Sequence, residues 1–240
     1  MLTKKDINHV FQPVVSSQTE KIVGFEALLR HERISNPVSL FREAREQGLH
    51  TQLDMLSIEK ALETFRFQHV VELLFINIFP TTLLNMEFKI FLKRLAEKYS
   101  SHVKQIVFEL NETAEEKQIW NKQKLKEMVA LIRGYGFRIA IDDVGVGAAS
   151  LKQVIEFNPD MIKLDRYFSN QLAVSNDKQE VLSFFVDYCR KKNKKLILEG
   201  IETKLDFEAA KALHVPYLQG YYIGKPNAYA NLENRYHFTI

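Results

Sequence analysis

Short apolar runs recur along this chain with stretches of helical periodicity between them, and this alternation constrains the fold more than any other feature. The runs fall at residues 73–76, 106–108, 137–141, 161–164, 196–198 and 217–218. Each is too short for a buried helix and reads as a strand covered on both faces. Amphipathic helices are predicted in the gaps, for example over 125–133, closed by Gly134, and over 181–191. Repeated strand–helix–strand order predicts parallel βαβ units. Ahead of them, 11–15 and 22–29 flank a polar turn at 16–21, which predicts a hairpin. Asn36 and Pro37 supply an N-cap and an N1 proline for a helix that Gly48 ends, and a second helix is predicted over 53–65. The expected fold class is α/β: a (β/α)8 TIM-like barrel with an antiparallel strand at its opening. No low-complexity tract or Gly/Ser linker breaks the pattern, so a single domain over residues 1–240 is expected.

What ends each run carries the chemistry. Glu26, Asn77, Glu109, Asp142 with Asp143, Glu199 and Gln219 each follow an apolar run, while Lys163 and Asp165 stand two apart on one face of another. In a parallel barrel the C-terminal strand ends meet on one rim, where active sites are built. Residues spread from position 26 to 219 therefore become neighbours. So many carboxylates on one rim repel each other unless several hold protons or divalent cations neutralise them. Any one acidic residue at a strand end serves as a cap or salt bridge; the joint set is hard to generate from capping alone. Oxygen donors, carboxylates plus one amide carbonyl, suit hard cations such as Mg²⁺ or Mn²⁺. One cysteine and seven histidines without paired spacing argue against zinc.

Composition narrows the partners. The 33 Lys+Arg against 30 Asp+Glu leave a net charge of +3, too small for a bulk binder of DNA or RNA polymer. Cys189 stands alone, so no internal disulfide framework exists, which fits a reducing compartment. No segment reads as a membrane span or a secretory leader. The expected location is cytoplasmic, with no membrane contact within the chain.

At these positions the sequence resembles the EAL domain family of cyclic di-GMP phosphodiesterases. The naming signature stands as Glu26-Ala27-Leu28-Leu29-Arg30. Further matches are Asn77 with Pro80, Glu109-Leu110-Asn111-Glu112, Asp142-Asp143-Val144-Gly145, Ile162-Lys163-Leu164-Asp165, Glu199-Gly200-Ile201-Glu202 and Gln219-Gly220-Tyr221. The resemblance implies hydrolysis of cyclic di-GMP to linear 5′-pGpG by a water that two divalent cations, Mg²⁺ or Mn²⁺, activate. It assigns Glu26, Asn77, Glu109 and Asp142 to one metal, and Asp142, Asp143 and Glu199 to the other. Lys163, Glu199 and Gln219 take catalytic roles, with Glu199 as general base. Gln12, Arg30 and Asp165 are the implied substrate contacts, and Glu112 anchors the loop after Asp143. A homodimer is expected through the region behind that loop, near Tyr167 and Phe168. The alternative is a catalytically idle receptor of the same dinucleotide that acts through a protein partner.

The chain departs from the family pattern at Val144, Ala148 and Ala149 in that loop, and at Asn111, His31 and Phe79. None of these is an implied metal ligand. The glycines at 145 and 147 superficially suggest a dinucleotide loop, but two aspartates precede them and would repel a pyrophosphate. The basic run 190–195 reads as the solvated C-terminus of a helix. The aromatic residues read as packing groups; Tyr221 and Tyr222, beside Gln219, are the two to weigh against that reading as stacking partners for a base.

Overall fold

The computed structural model describes residues 4–34, 36–67, 73–111, 119, 123–145 and 151–236. Glu112, Ala148 and Ala149 lie outside them. Eight strands follow one another in chain order around a closed barrel: β1 (Ile7–Ser16), β2 (Ile22–His31), β3 (Leu73–Ile78), β4 (Ile106–Leu110), β5 (Arg138–Val144), β6 (Met161–Leu164), β7 (Lys195–Leu198) and β8 (Tyr217–Gln219). β1 runs antiparallel to β2 and β8, and the remaining neighbours pair in parallel. The helices are α1 (Pro37–Glu46), α2 (His50–Thr64), α3 (Pro80–Leu84), α4 (Phe88–Lys98), α5 (Gln123–Gly134), α6 (Leu151–Phe157), α7 (Arg166–Ser169), α8 (Asn176–Lys191), α9 (Lys204–Ala212) and α10 (Tyr229–Tyr236). The barrel and its antiparallel first strand are those the sequence predicts.

The elements differ from expectation mainly in length. Both hairpin strands reach further, to Ile7 and His31, because Asn8 and His9 break the apolar run without breaking the pairing, Asn8 lying opposite Arg30. The imidazole of His31 ends the hairpin by accepting the backbone N–H of Arg33 and Ile34, each at 3.1 Å. Asn36 caps α1 as its sequence suggests, accepting from the Val38 amide at 2.9 Å. The second helix starts at His50 rather than Leu53, with no side-chain cap to announce it.

Two layers of side chains fill the barrel. Val14, Phe75, Val107, Ala140, Met161 and Ile197 form an apolar cluster inside it. Two residues along each strand, on the same face, stand Gln12, Asn77, Glu109, Asp142, Lys163 and Glu199. The apolar layer is thus a floor beneath the polar one. Gly24 makes room in this floor, since a Cβ there would lie 2.5 Å from the Leu73 carbonyl oxygen and 3.0 Å from the Phe75 ring. The larger core lies outside, between strands and helices, where Phe11, Phe25, Phe65 and Tyr229 pack ring against ring at 4.9–6.1 Å. Among the described residues, no helix is long and apolar enough to cross a membrane.

Candidate active site

Lys163 organises the polar layer. Its ammonium lies 2.6 Å from Glu199 Oε1, 2.9 Å from Glu109 Oε1, and 3.3 Å from both Glu26 Oε2 and Asp142 Oδ1. The lysine side chain is 1% exposed. Four strands thus deliver four carboxylates to one cation, Glu26 from within β2 and the others from at or near the ends of β4, β5 and β7. Glu26 is held further by Gln219 Nε2, which donates to Oε2 at 2.8 Å, and by Asn77 Nδ2, which donates to Oε1 at 3.3 Å. Gln12 sits beside them, accepting from Gln219 Nε2 at 3.4 Å and donating to the Gly224 carbonyl at 3.1 Å.

The electrostatics follow from one ammonium facing an excess of acid. Burial raises the Glu109 and Glu199 carboxyls well above the usual range, and the Lys163 charge only partly opposes it. Burial raises Asp142 as well, with Glu26 adding to the shift. Asp143 is pushed up to about 6 by burial and by its neighbour Asp142. For Glu26, burial is outweighed by Lys163 and by the Gln219 and Asn77 hydrogen bonds, so its carboxyl is held below the ordinary value. For Lys163 too, burial is outweighed, here by the surrounding carboxylates, so its ammonium titrates well above the lysine range.

The donor set fits divalent cations. Glu109 Oε2 is buried with no hydrogen-bond donor, and Glu109 Oε1 and Asp142 Oδ1, buried as well, share the one Lys163 ammonium at 2.9 and 3.3 Å. Oxygens of Asp142, Asp143 and Glu199 lie within 4.8 Å of one another. Asp143 reaches this position in the left-handed region, φ 53°, at a break in the β5–β6 register between Ile141 and Val144. Such a conformation is strained for most residues but tolerated by aspartate. Among the described residues the cluster offers oxygen donors alone, which suits Mg²⁺ or Mn²⁺. Glu26, Asn77, Glu109 and Asp142 could hold one ion, and Asp142, Asp143 and Glu199 a second.

The remaining expected residues are placed as follows. Arg30 lines a cleft that opens from Asp142 and Asp143, and its Nη1 donates to the Leu29 carbonyl at 2.8 Å. Asp165 caps α7, accepting from the Tyr167 amide at 2.7 Å, and its charge helps raise Asp143. Glu112 falls outside the described residues. Tyr221 and Tyr222 are both exposed; Tyr221 lines the mouth beside Glu199, and Tyr222 rests on Phe207. Two residues carry more than their sequence positions suggest. Asn111 donates to Asn77 Oδ1 and so fixes that amide. Arg166 pairs with Glu202 at 3.2 Å on the same mouth. Neither contact shows in sequence, because each joins side chains at least thirty residues apart.

The EAL domain family model matches residues 1–226. The cyclic di-GMP phosphodiesterase PdeF of Escherichia coli strain K12 is 28% identical over 229 residues, 91% of this chain and 30% of PdeF. The biofilm architecture maintenance protein MbaA of Vibrio cholerae is 31% identical over 234 residues, 94% of this chain and 29% of MbaA. The chain therefore spans about a third or less of these relatives. A standalone EAL protein from Vibrio cholerae O395, solved with cyclic di-GMP bound, superposes with a TM-score of 0.79 at 25% identity over 92% of both chains. With a carboxylate and amide rim on a closed barrel and a family match that runs through every strand contributing to it, this chain belongs to the EAL domain family.

Proposed function

We propose that this chain is a metal-dependent phosphodiesterase that opens cyclic di-GMP to linear 5′-pGpG. The observation that carries this reading is the cluster itself: a single ammonium, Lys163, within 3.3 Å of four carboxylates, with Glu109 Oε2 buried and without a donor. When bound, two divalent cations would lower the pKa of the attacking water and neutralise charge on the phosphoryl oxygens. The chain's own residues do the rest. Arg30 presents a guanidinium fork suited to a phosphate, and Gln12 borders the same rim. Glu199, in its carboxylate form, takes the proton of the water that attacks phosphorus; the bond to the 3′ oxygen breaks, and that oxygen takes up a proton from solvent and leaves as the 3′ hydroxyl. Lys163 stays cationic beside it and offsets the charge that develops. Gln219, fixed between Gln12 and Glu26, orients water or ligand.

The reading includes a cytoplasmic location, in keeping with the lone buried Cys189, and a homodimer through α7 and its surroundings. The direct test is chromatography of products after incubation with cyclic di-GMP and Mg²⁺ or Mn²⁺. A linear dinucleotide is expected, lost with EDTA and restored by either metal. Hydrolysis at the full rate in chelator overturns the two-cation reading. Binding without turnover in either metal points instead to an idle receptor.

A further inference from the structure

The cleft that starts at Asp142 and Asp143 passes the end of β3 and finishes against α1 and α2, with a volume of about 540 Å³. Its far end is built differently from the rim. Val38, Phe41, Arg42 and Arg45 follow the i, i+3, i+4, i+7 spacing of one helix face, and all four line it. Phe41 meets Phe79 edge to face with ring centroids 4.7 Å apart. An aromatic and apolar wall with two guanidinium groups suits a flat heterocycle.

At this end lies Ser57 of α2, 8% exposed, with Oγ 3.0 Å from His9 Nε2 on β1. His9 is 6% exposed, and its Nδ1 has no partner. The imidazole is neutral: burial, with help from the nearby Lys60 and Arg30 charges, brings its pKa down to about 3. One ring nitrogen therefore carries the proton. A proton on Nδ1 would leave a buried N–H with nothing to bond, a more serious defect than a bare lone pair. The network thus assigns the proton to Nε2, which donates to Ser57 Oγ. Thr64 and Ser183 turn their hydroxyls back to the carbonyl four residues earlier, at 2.8 Å each. Ser57 makes no such bond among the described residues, so its hydroxyl hydrogen is left for the cleft. Asp54 also lines this end, but its Oδ2 accepts the Phe79 amide at 2.9 Å. An apolar pair would fill the space of His9 and Ser57 without the cost of burying an unpaired nitrogen. A ligand contact gives that pair a purpose.

We propose that Ser57, aimed by His9, is a specificity residue of a base-binding subsite at the α1–α2 end of the cleft, and that it selects guanine over adenine. The inference rests on the phosphodiesterase reading and adds to it. Guanine presents two adjacent acceptors, O6 and N7, to a wall of donors. Adenine offers N7 beside an amino group, which would face the same donors with hydrogens of its own. His9 touches no ligand and is a positioning residue.

The test compares cyclic di-GMP with cyclic di-AMP, by kcat and KM in Mn²⁺ and by calorimetric Kd in a Glu199→Gln background that suppresses turnover. Ser57→Ala is expected to raise KM and Kd for the guanine dinucleotide by about three- to tenfold, the size of one lost hydrogen bond. The values for the adenine dinucleotide should hardly move, so the selectivity ratio falls by the same factor. Ser57→Thr, which keeps the hydroxyl, should recover most of the loss. His9→Leu should reproduce the loss, and His9→Gln, whose amide can still donate to Oγ, should largely escape it. A purely structural role would weaken both dinucleotides alike and lower the melting temperature. A folded Ser57→Ala protein with an unchanged guanine-to-adenine ratio overturns the subsite while hydrolysis stands. A wild-type protein that neither binds nor cleaves either dinucleotide overturns the phosphodiesterase reading and the subsite together.

Discussion

Glu199 donates no backbone peculiarity to the rim; what sets it apart is a carboxyl 2.6 Å from Lys163 and raised by burial. If it is the general base, Glu199→Gln keeps its size and removes the proton acceptor. A loss of about 10²–10⁴ in kcat is expected, roughly 3–5 kcal/mol of barrier. The dissociation constant for cyclic di-GMP should change by less than about tenfold, since the other phosphate and metal contacts stay. Calorimetry beside steady-state kinetics checks this; binding that collapses in step with rate would make Glu199 chiefly a ligand. This residue was legible in sequence because it follows an apolar strand and the strand's direction decides where it points. The same holds for Glu26, Glu109 and Asp142. His9 and Ser57 were not legible, because a lone histidine in a strand and a lone serine in a helix signal nothing until the fold joins them across 48 residues. Asp165 shows the opposite difficulty: one carboxylate can cap a helix and face a site, and spacing alone does not separate the two.

Among the elements, the strands were easier to place than the helix starts. A strand in this barrel is an apolar run with a polar end, whereas α2 and α4 begin with no side-chain cap to mark them. The β1–β2 hairpin ran longer than its apolar stretch because pairing continues where composition changes. The surface of α7 and α8 is the element-scale feature with a functional claim. Tyr167, Val181 and Phe184 are 59%, 42% and 55% exposed, while Phe168 beside them is buried. Exposed aromatic groups of this kind are enriched in interfaces. Sedimentation velocity is expected to show a dimer, and Tyr167→Ala with Phe184→Ala to weaken it by about tenfold or more, as the loss of an aromatic anchor does. A wild-type protein that stays monomeric at about 100 μM or more would end that reading.

For the whole molecule, cation binding at the rim is expected to couple to stability. The carboxyls of Glu109, Asp142, Asp143 and Glu199 all titrate higher in the folded chain than in the unfolded one. The folded state then binds more protons, and metal-free stability falls as pH rises from the unfolded carboxyl range through the raised values. Cations compete with those protons, so metal should stabilise more at high pH. With millimolar Mn²⁺ or Mg²⁺, the gain in melting temperature should be larger at pH 8 than at pH 5 in differential scanning calorimetry; equal gains would separate the rim from the metal. The same closure has a consequence in time. β1, near the start of the chain, pairs with β8 some two hundred residues later. During synthesis the β1 edge of the first hairpin therefore stays unpaired until the last strand follows. Neither the barrel seam nor the Gln12–Gln219–Glu26 bridge can form until β8 has emerged. Such distant pairing folds slowly and leaves strand edges exposed to other nascent chains. A polypeptide released before Tyr217 would carry two unpaired edges and no finished rim, a substrate for chaperone or protease and not for catalysis.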